Sequence, residues 1–288
     1  MAIRVENLCF TYNPGTPFAR PALEDVNLEI GDGEFIGIIG ETGSGKSTLI
    51  QHFNGLLRPS RGRVLVDGVD IWGKDVRLRD IRQRVGLVFQ YPEHQLFEES
   101  VFADVAFGPR NMGLGDDEVA ERVRRALEMV GLDFQAVKDR SPFELSGGEM
   151  RRVAIAGVLA MEPSVLVLDE PVSGLDPRGR DELLRELARL HEEFEYTVVL
   201  VSHSMEDVAR LAKRLVVMHK GRVAADGSVR EVFRMKNLLT DVGLGVPQVT
   251  ELMHELVRRG KDVKTDVLTV GEAKEELLRL LRGEGRAR

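Results

Sequence analysis

Phe35-Ile36-Gly37-Ile38-Ile39, followed by Gly40-Glu41-Thr42-Gly43-Ser44-Gly45-Lys46-Ser47 and then Thr48-Leu49-Ile50-Gln51-His52-Phe53, is the stretch that decides the architecture. The first five residues form a short apolar run typical of a buried parallel strand, and the last six read as the start of a helix. Between them the glycines let successive backbone N–H groups turn inward around a phosphate. The helix that follows presents its positive N-terminus to the same point, and Lys46 sets a point charge against the terminal phosphates. Ser47 is expected to ligate magnesium, with Thr48 beside it at the phosphates. A glycine-rich turn that holds nothing is the bland alternative, and the agreement of motif with both flanks argues against it.

A second chemical signal stands at Val165-Leu166-Val167-Leu168-Asp169-Glu170, a buried strand that ends in two adjacent acids. Asp169 can bind magnesium through water, and Glu170 can polarise a water that attacks a terminal phosphate. Taken alone, two solvated acids closing a strand would explain the pattern equally well.

Outward from these two strands, apolar runs recur at Val85 to Phe89, Thr197 to Val201 and Leu215 to Met218. Helical periodicity over Asp116 to Val130, Glu149 to Met161, Asp181 to Phe194 and Met205 to Lys213 separates most of them, which predicts a parallel α/β core with right-handed crossovers. Two regions break the alternation. Ala2 to Ile30 with Arg63 to Asp70 reads as an antiparallel layer, because turn-rich segments join its strands without a helix. Tyr91 to Ala160 reads as an almost wholly helical inserted lobe. Beyond Phe233 a loop-like Leu-Gly-Val-Pro-Gln segment and two amphipathic runs, Val249 to Arg259 and Glu272 to Leu281, suggest a small appended domain. Its basic residues Arg279, Arg282, Arg286 and Arg288 read as a solvated helix end.

The bulk composition sets limits. A chain of 288 residues has room for roughly two domains. A formal net charge of -7 argues against broad attraction to nucleic acid or anionic lipid. The single Cys9 excludes an internal disulfide, fits a reducing compartment and is expected to be a small buried hydrophobe. No run approaches the ~18 apolar residues of a spanning helix, and the first residues lack a signal peptide's pattern. The protein is therefore expected to stay in the cytoplasm, with any membrane contact made through a protein partner.

Leu145-Ser146-Gly147-Gly148-Glu149, at the start of a helix, resembles the signature sequence of the ATP-binding-cassette (ABC) family. The family's other motifs follow in its order: Gln90 after a strand, Ser173-Gly174-Leu175-Asp176 after the acids, and His203 after Thr197 to Val201. The likeness covers nearly the first 230 residues. It implies an α/β P-loop NTPase with a RecA-like parallel sheet core, an antiparallel β subdomain, an inserted helical subdomain at about 91–160 and a small C-terminal α+β domain. The nucleotide-binding domain would span 1–234, and a dimerisation or accessory domain 235–288. ATP and Mg2+ are the implied ligands, with Gly40, Glu41, Thr42, Gly43, Ser44, Gly45, Lys46, Ser47 and Thr48 at the nucleotide and Ser47, Gln90 and Asp169 around the metal. Glu170, His203 and Gln90 would serve catalysis, and Tyr12 resembles the family's adenine-stacking aromatic. Ser146, Gly147 and Gly148 would reach the γ-phosphate of ATP held by a second subunit, and Asp176 would couple the two sites. Singly, Tyr12 reads as well as a strand-end aromatic, Gln90 as a strand-end polar residue and His203 as a loop histidine; the joint order carries the assignment. The family's signature usually ends in Gln, so the Glu149 carboxylate is a departure. It suits the helix dipole, would oppose an anion it faced, and is expected to point sideways.

The interval from Gln90 to Ser146 suits a compact helical lobe and is far too short for a long coiled coil, which disfavours DNA-maintenance relatives. Such a nucleotide-dependent scaffold, or another class of ABC transporter, remains the alternative. Gln90-Tyr91-Pro92-Glu93-His94-Gln95-Leu96-Phe97-Glu98, and Met150 to Gly157 after the signature, resemble the energy-coupling-factor (ECF) importer ATPases, most closely their second, A-prime, CbiO-like type. That resemblance implies a second ABC ATPase subunit, an integral membrane scaffold and a separate substrate-binding subunit as partners, no nucleic acid, and uptake of a vitamin or metal ion. Leu96, Phe97 and Phe102 would line the docking groove, or else pack the lobe's interior.

Overall fold

The chain folds into two sheets, one of four strands and one of six. The computed structural model describes residues 1–282. β1 (Ile3–Tyr12) and β2 (Arg20–Ile30) precede β3 (Phe35–Gly40), which runs into the glycine-rich loop; α1 (Lys46–Phe53) leaves it. β4 (Arg61–Val66), β5 (Val69–Asp70), α2 (Leu78–Arg84) and β6 (Val85–Val88) follow. The helical lobe is built from α3 (Val101–Met112), α4 (Asp116–Met129), α5 (Phe134–Val137) and α6 (Gly147–Leu159). The chain then alternates through β7 (Val165–Asp169), α7 (Pro177–Phe194), β8 (Thr197–Val201), α8 (Met205–Leu211), β9 (Arg214–His219) and β10 (Arg222–Ser228). It closes with α9 (Val229–Arg234), α10 (Lys236–Asp241), α11 (Gln248–Arg258) and α12 (Val270–Leu281).

The smaller sheet is antiparallel throughout, in the order β2-β1-β4-β5, with short connections joining β1 to β2 and β4 to β5. The larger sheet has the order β10-β9-β3-β8-β7-β6, parallel throughout except for β10 at its edge. The parallel strands are buried on both faces, which is why they read as unbroken apolar runs. Their side chains still alternate. Phe35, Ile39, Leu166, Leu168, Val198 and Leu200 join the helices of one face, while Ile36, Ile38, Val165, Val167, Val199 and Val201 pack with α1 and the antiparallel sheet on the other. Each such side chain contributes about 1.5–3 kcal/mol by leaving water. In the lobe, Val119, Val123, Ala126 and Leu127 make the buried stripe of α4 at three- and four-residue spacing, closing on Val101, Val105 and Val153.

Two expectations need correction. Cys9 is half-buried rather than a core residue, and its Sγ accepts the Asp25 N–H at 3.3 Å, because β1 and β2 slip register there. Among the described residues the segment from 235 carries helices and no strand, instead of an α+β mixture. Its extended stretch 262–269 finds no ladder neighbour and instead buries Val263, Val267 and Leu268, the first two against Met253 and Ala273. Arg279 and its neighbour Glu276 pair at 2.8 Å on α12, and Arg282 is exposed; Arg286 and Arg288 lie outside the described residues. No helix among the described residues is long and apolar enough to cross a membrane.

Candidate nucleotide site

Parallel sheets place their useful residues at the carboxyl ends of the strands, and register brings four such ends level here. Gly40 on β3 lies beside Met218, Asp169 on β7 pairs with Val201 on β8, and Val88 on β6 pairs with Leu168. The loops leaving β7, β8 and β6 carry Glu170, His203 and Gln90, and the loop leaving β3 delivers Lys46 as the first residue of α1. One cleft of about 290 Å³ gathers Tyr12, Lys46, Ser47, Thr48, Gln90, Asp169, Glu170 and His203, with Thr42, Gly43 and Gly45 of the loop. Gly40, Glu41 and Ser44 belong to the loop without lining the cleft, and the buried Ser44 hydroxyl has no hydrogen-bond partner among the described residues.

The loop closes tightly. Gly45 sits at φ 103°, and a Cβ there would come within 2.7 Å of the Ala22 carbonyl and 2.9 Å of Leu23 Cδ2, so only glycine fits. Lys46 donates from Nζ to the carbonyls of Gly40 at 2.7 Å and Glu41 at 3.0 Å. Burial lowers its pKa, opposed by Glu170 and Asp169. Tyr12 and Thr48 share a hydroxyl hydrogen bond of 3.1 Å, and Phe10 packs edge-on against both Tyr12 and the buried His52, which fixes the aromatic over α1.

The two acids behave differently. Burial raises Asp169 above the usual carboxylate range, while the Ser47 hydroxyl and Lys46 draw it back. Glu170 takes the left-handed backbone conformation, φ 51°, which costs an L-residue about 1–2 kcal/mol and lifts the carboxyl out of the strand direction. Burial and the neighbouring Asp169 push its pKa up to about 7. His203 Nε2 lies 3.3 Å from Glu170 Oε1, and burial together with Lys46 lowers the imidazole's pKa. A carboxyl poised near neutrality, beside a neutral imidazole and a cation, can take a proton from a water and orient it.

Ser146, Gly147, Gly148 and Asp176 do not line this cleft. Ser146 caps α6 and Asp176 caps α7, the latter accepting the Gly179 N–H at 2.8 Å. Glu149 turns back rather than sideways. Its Oε2 accepts from the Ser146 N–H at 2.9 Å and the Ser146 hydroxyl at 2.7 Å, and those hydrogen bonds hold its carboxyl below the usual range. Sequence reasoning missed three more contributors. Arg20 lines the cleft beside Gly43. Arg151, buried, donates to both Glu93 oxygens at 3.0 and 2.7 Å and to the carbonyls of Pro171 and Ser173. Gly243, in the turn after α10, meets the phosphate loop, since a Cβ there would lie 1.6 Å from Glu41 Oε1. Lone arginines and a turn glycine carry no sequence pattern that could have flagged them.

A phosphate-cradling loop, an acid pair and a histidine converging at the carboxyl edge of a parallel sheet define a P-loop NTPase. Residues 23–173 match the family model described as ABC transporter. The chain is 56% identical over 280 residues, 97% of each sequence, to the energy-coupling factor transporter ATP-binding protein EcfA2 of Clostridium tetani. It is 61% identical to the EcfA2 of Symbiobacterium thermophilum, over 95% of this chain and 94% of that one. Among solved structures it resembles cbiO1 of Clostridium perfringens, part of the ABC transporter complex cbiONQ, at 40% identity and TM-score 0.74, covering 88% of this chain and 98% of that one. It also resembles the dimeric bacterial ABC transporter cassette MJ0796, at 32% identity and TM-score 0.70, over 79% and 98%. The chain belongs to the ABC transporter ATP-binding family and, within it, to the energy-coupling factor transporter ATP-binding proteins. It is an ATP-binding subunit of an ECF-type ABC transporter, an ATPase whose hydrolysis is coupled to transport.

Proposed function

We propose that this chain grips ATP between its own cleft and the Ser146 helix tip of a second ABC ATPase subunit, and so powers uptake of a vitamin or metal ion through a membrane scaffold and a substrate-binding subunit. One observation carries the reading: Lys46 and Ser146 sit in separate places on one chain, each suited to half of a phosphate site. A helix start leaves its first N–H groups without intrahelical partners, and Gly147 and Gly148 keep that tip open to an anion. Two copies face to face would complete each site, and trans-supplied donors of this kind are worth on the order of 10³–10⁵ in rate in the comparable GTPases. Tyr12 stacks on the adenine, Glu170 takes the attacking water's proton, His203 positions that water and Asp176 faces the partner.

The donor set around Asp169 fits Mg2+. Hard oxygen ligands stand together in Ser47, Gln90 and Asp169, and no group of three His, Cys, Asp or Glu among the described residues offers a rival site. Bound there, Mg2+ would neutralise charge on the transferring phosphate. Ser47 and Gln90 would supply neutral oxygens, and Asp169 the single carboxylate.

Docking falls to a groove of about 490 Å³ between the segment after Gln90 and the lobe, lined by Leu96, Phe97, Phe107, Met112, Val153 and Met161. Phe97 is 59% exposed and packs edge-on against Phe107 at 5.1 Å, an apolar seat for a partner's helix. Phe102 is the exception to the expected trio: it packs into the lobe beside Phe134 and beneath Arg110. The unit after 235 would add contact between subunits, since Leu252, Val257, Val270 and Leu281 leave apolar surface exposed there. The chain would then work at the cytoplasmic face of the membrane. The test is purification of the tagged chain from detergent-solubilised membranes. Integral membrane proteins and a second P-loop ATPase are expected to come with it; no membrane protein, together with ATP turnover stimulated by DNA, would overturn the reading.

Glu149 yields a separate expectation. Its charge is held at the helix tip by Ser146, where an incoming γ-phosphate needs the same donors. Glu149→Gln removes the repulsion, and the KM for ATP of the assembled complex is expected to fall about threefold to tenfold, the worth of one helix-end charge. An unchanged or higher KM would mean that the carboxylate swings clear when the subunits meet.

A further inference from the structure

We infer that Arg180 is a positioning residue that makes the segment bearing Asp176 and the loop bearing His203 move as one body. This rests on the two-copy reading of the site. Asp176 caps α7, and Arg180 stands one turn further on. Its guanidinium leaves α7 altogether: Nη2 donates to the Ser204 hydroxyl at 2.6 Å and to Asp207 Oδ1 at 2.7 Å, and Nε donates to the same Asp207 oxygen at 3.2 Å. Ser204 is the cap of α8 and the residue after His203. It also accepts the Asp207 N–H at 3.2 Å and donates its own N–H to the Ser202 hydroxyl at 3.0 Å. One planar fork therefore ties the first turn of α7 to the first turn of α8 through three bonds in a fixed geometry, of which an ammonium at this position would keep the charge and only part of the bonding.

The charges require this contact. The Asp207 side chain is only 5% exposed, and its Oδ2 is buried without a hydrogen-bond partner among the described residues, so Arg180 is its counter-ion. Uncompensated, that carboxylate would act on Glu170, where the charge of Asp207 already contributes to the raised pKa. The other end of the Asp176 segment is fixed as well, since Arg151 holds the carbonyls of Pro171 and Ser173. A segment pinned at both ends transmits a push rather than absorbing it. A partner pressing on Asp176 then acts through Arg180 on Ser204 and on His203, whose Nε2 lies 3.3 Å from Glu170 Oε1.

The test uses the full chain assembled with its partner ATPase and membrane subunits. Arg180→Met is expected to lower kcat about tenfold while the KM for ATP stays within twofold, because the loss falls on alignment and not on nucleotide grip. Arg180→Lys should recover part of kcat. Adding Asp207→Asn to Arg180→Met should cost nothing further, since the two residues act as a unit. An unchanged kcat in Arg180→Met, a parallel rise in KM, no recovery with lysine, or simple additivity with Asp207→Asn would each overturn the inference. Sedimentation of Glu170→Gln with ATP separates this from the underlying reading. If that variant fails to associate, the two-copy grip fails and the inference with it; if it associates while Arg180→Met turns over normally, the inference alone fails.

Discussion

Glu170→Gln is expected to reduce ATP turnover of the assembled transporter at least ~100-fold while leaving ATP bound and the ATPase subunits held together. The amide keeps the shape of the carboxyl at the end of β7 and still has an oxygen toward His203, but it cannot take a proton from water. A second consequence follows from the raised pKa. In the folded protein the Glu170 carboxyl titrates at about 7 instead of 4.5, so its neutral form is the one the fold favours. The sign is that of a raised acid: the stabilisation is present below pH 4.5 and is lost as pH rises through about 7. Above that, the folded free protein carries a buried charge that the glutamine lacks. Glu170→Gln should therefore be more stable than wild type by about 2–4 kcal/mol at pH 8 and equal to it near pH 4. Thermal melts of the nucleotide-free chain at both pH values measure this. Equal melting temperatures at pH 8 would show that the carboxyl is not held in the buried setting described. Turnover of the wild type should likewise fall as pH drops and the base takes up a proton, and that limb should vanish in the variant. Retained fast turnover in Glu170→Gln would remove Glu170 as the base.

The sequence made the parallel core readable because each of its strands is buried on both faces, so Phe35 to Ile39 and Val165 to Leu168 stand out as apolar runs. It could not order them. Nothing in the residues of β3 says that β8 and β9, which come more than 150 positions later, will flank it. The loop from Gly40 to Ser47 was legible because its glycines and lysine answer to one ligand at fixed spacing. Arg20, Arg151 and Arg180 were not, since each is a single cation whose partners, Glu93 or Asp207 for example, come together only through the fold. Glu149 was visible as a departure, yet its direction was misjudged. The capping-box pattern was present in Ser146 and Glu149, and that pattern turns the carboxylate back onto its own cap. The approach of Gly243 to Glu41 depends on how the C-terminal helices pack against the core, which amphipathic periodicity leaves undetermined.

Lys46→Met should raise the dissociation constant for ATP at least ~100-fold, measured by calorimetry on the chain alone, with little change in melting temperature. The stability side is a near balance. Lys46 is only 6% exposed, and burial costs its charge enough to lower its pKa, while Asp169 and Glu170 pull it back. Methionine fills the same volume without that cost but removes the cation nearest to two buried acids, leaving them harder to ionise. The binding side has no such compensation. In the free loop the Nζ donors are satisfied by the carbonyls of Gly40 and Glu41, so the ammonium is already aimed across the concave side of the turn and needs no ordering when a phosphate arrives. Truncating one partner of a buried charge pair of this kind costs about 2–5 kcal/mol, and 100-fold lies within that range. The backbone N–H groups of the loop and the start of α1 remain, so residual weak binding is expected rather than none. Binding within tenfold of wild type would mean that the phosphates sit elsewhere in the cleft, with Arg20 as the cation that holds them.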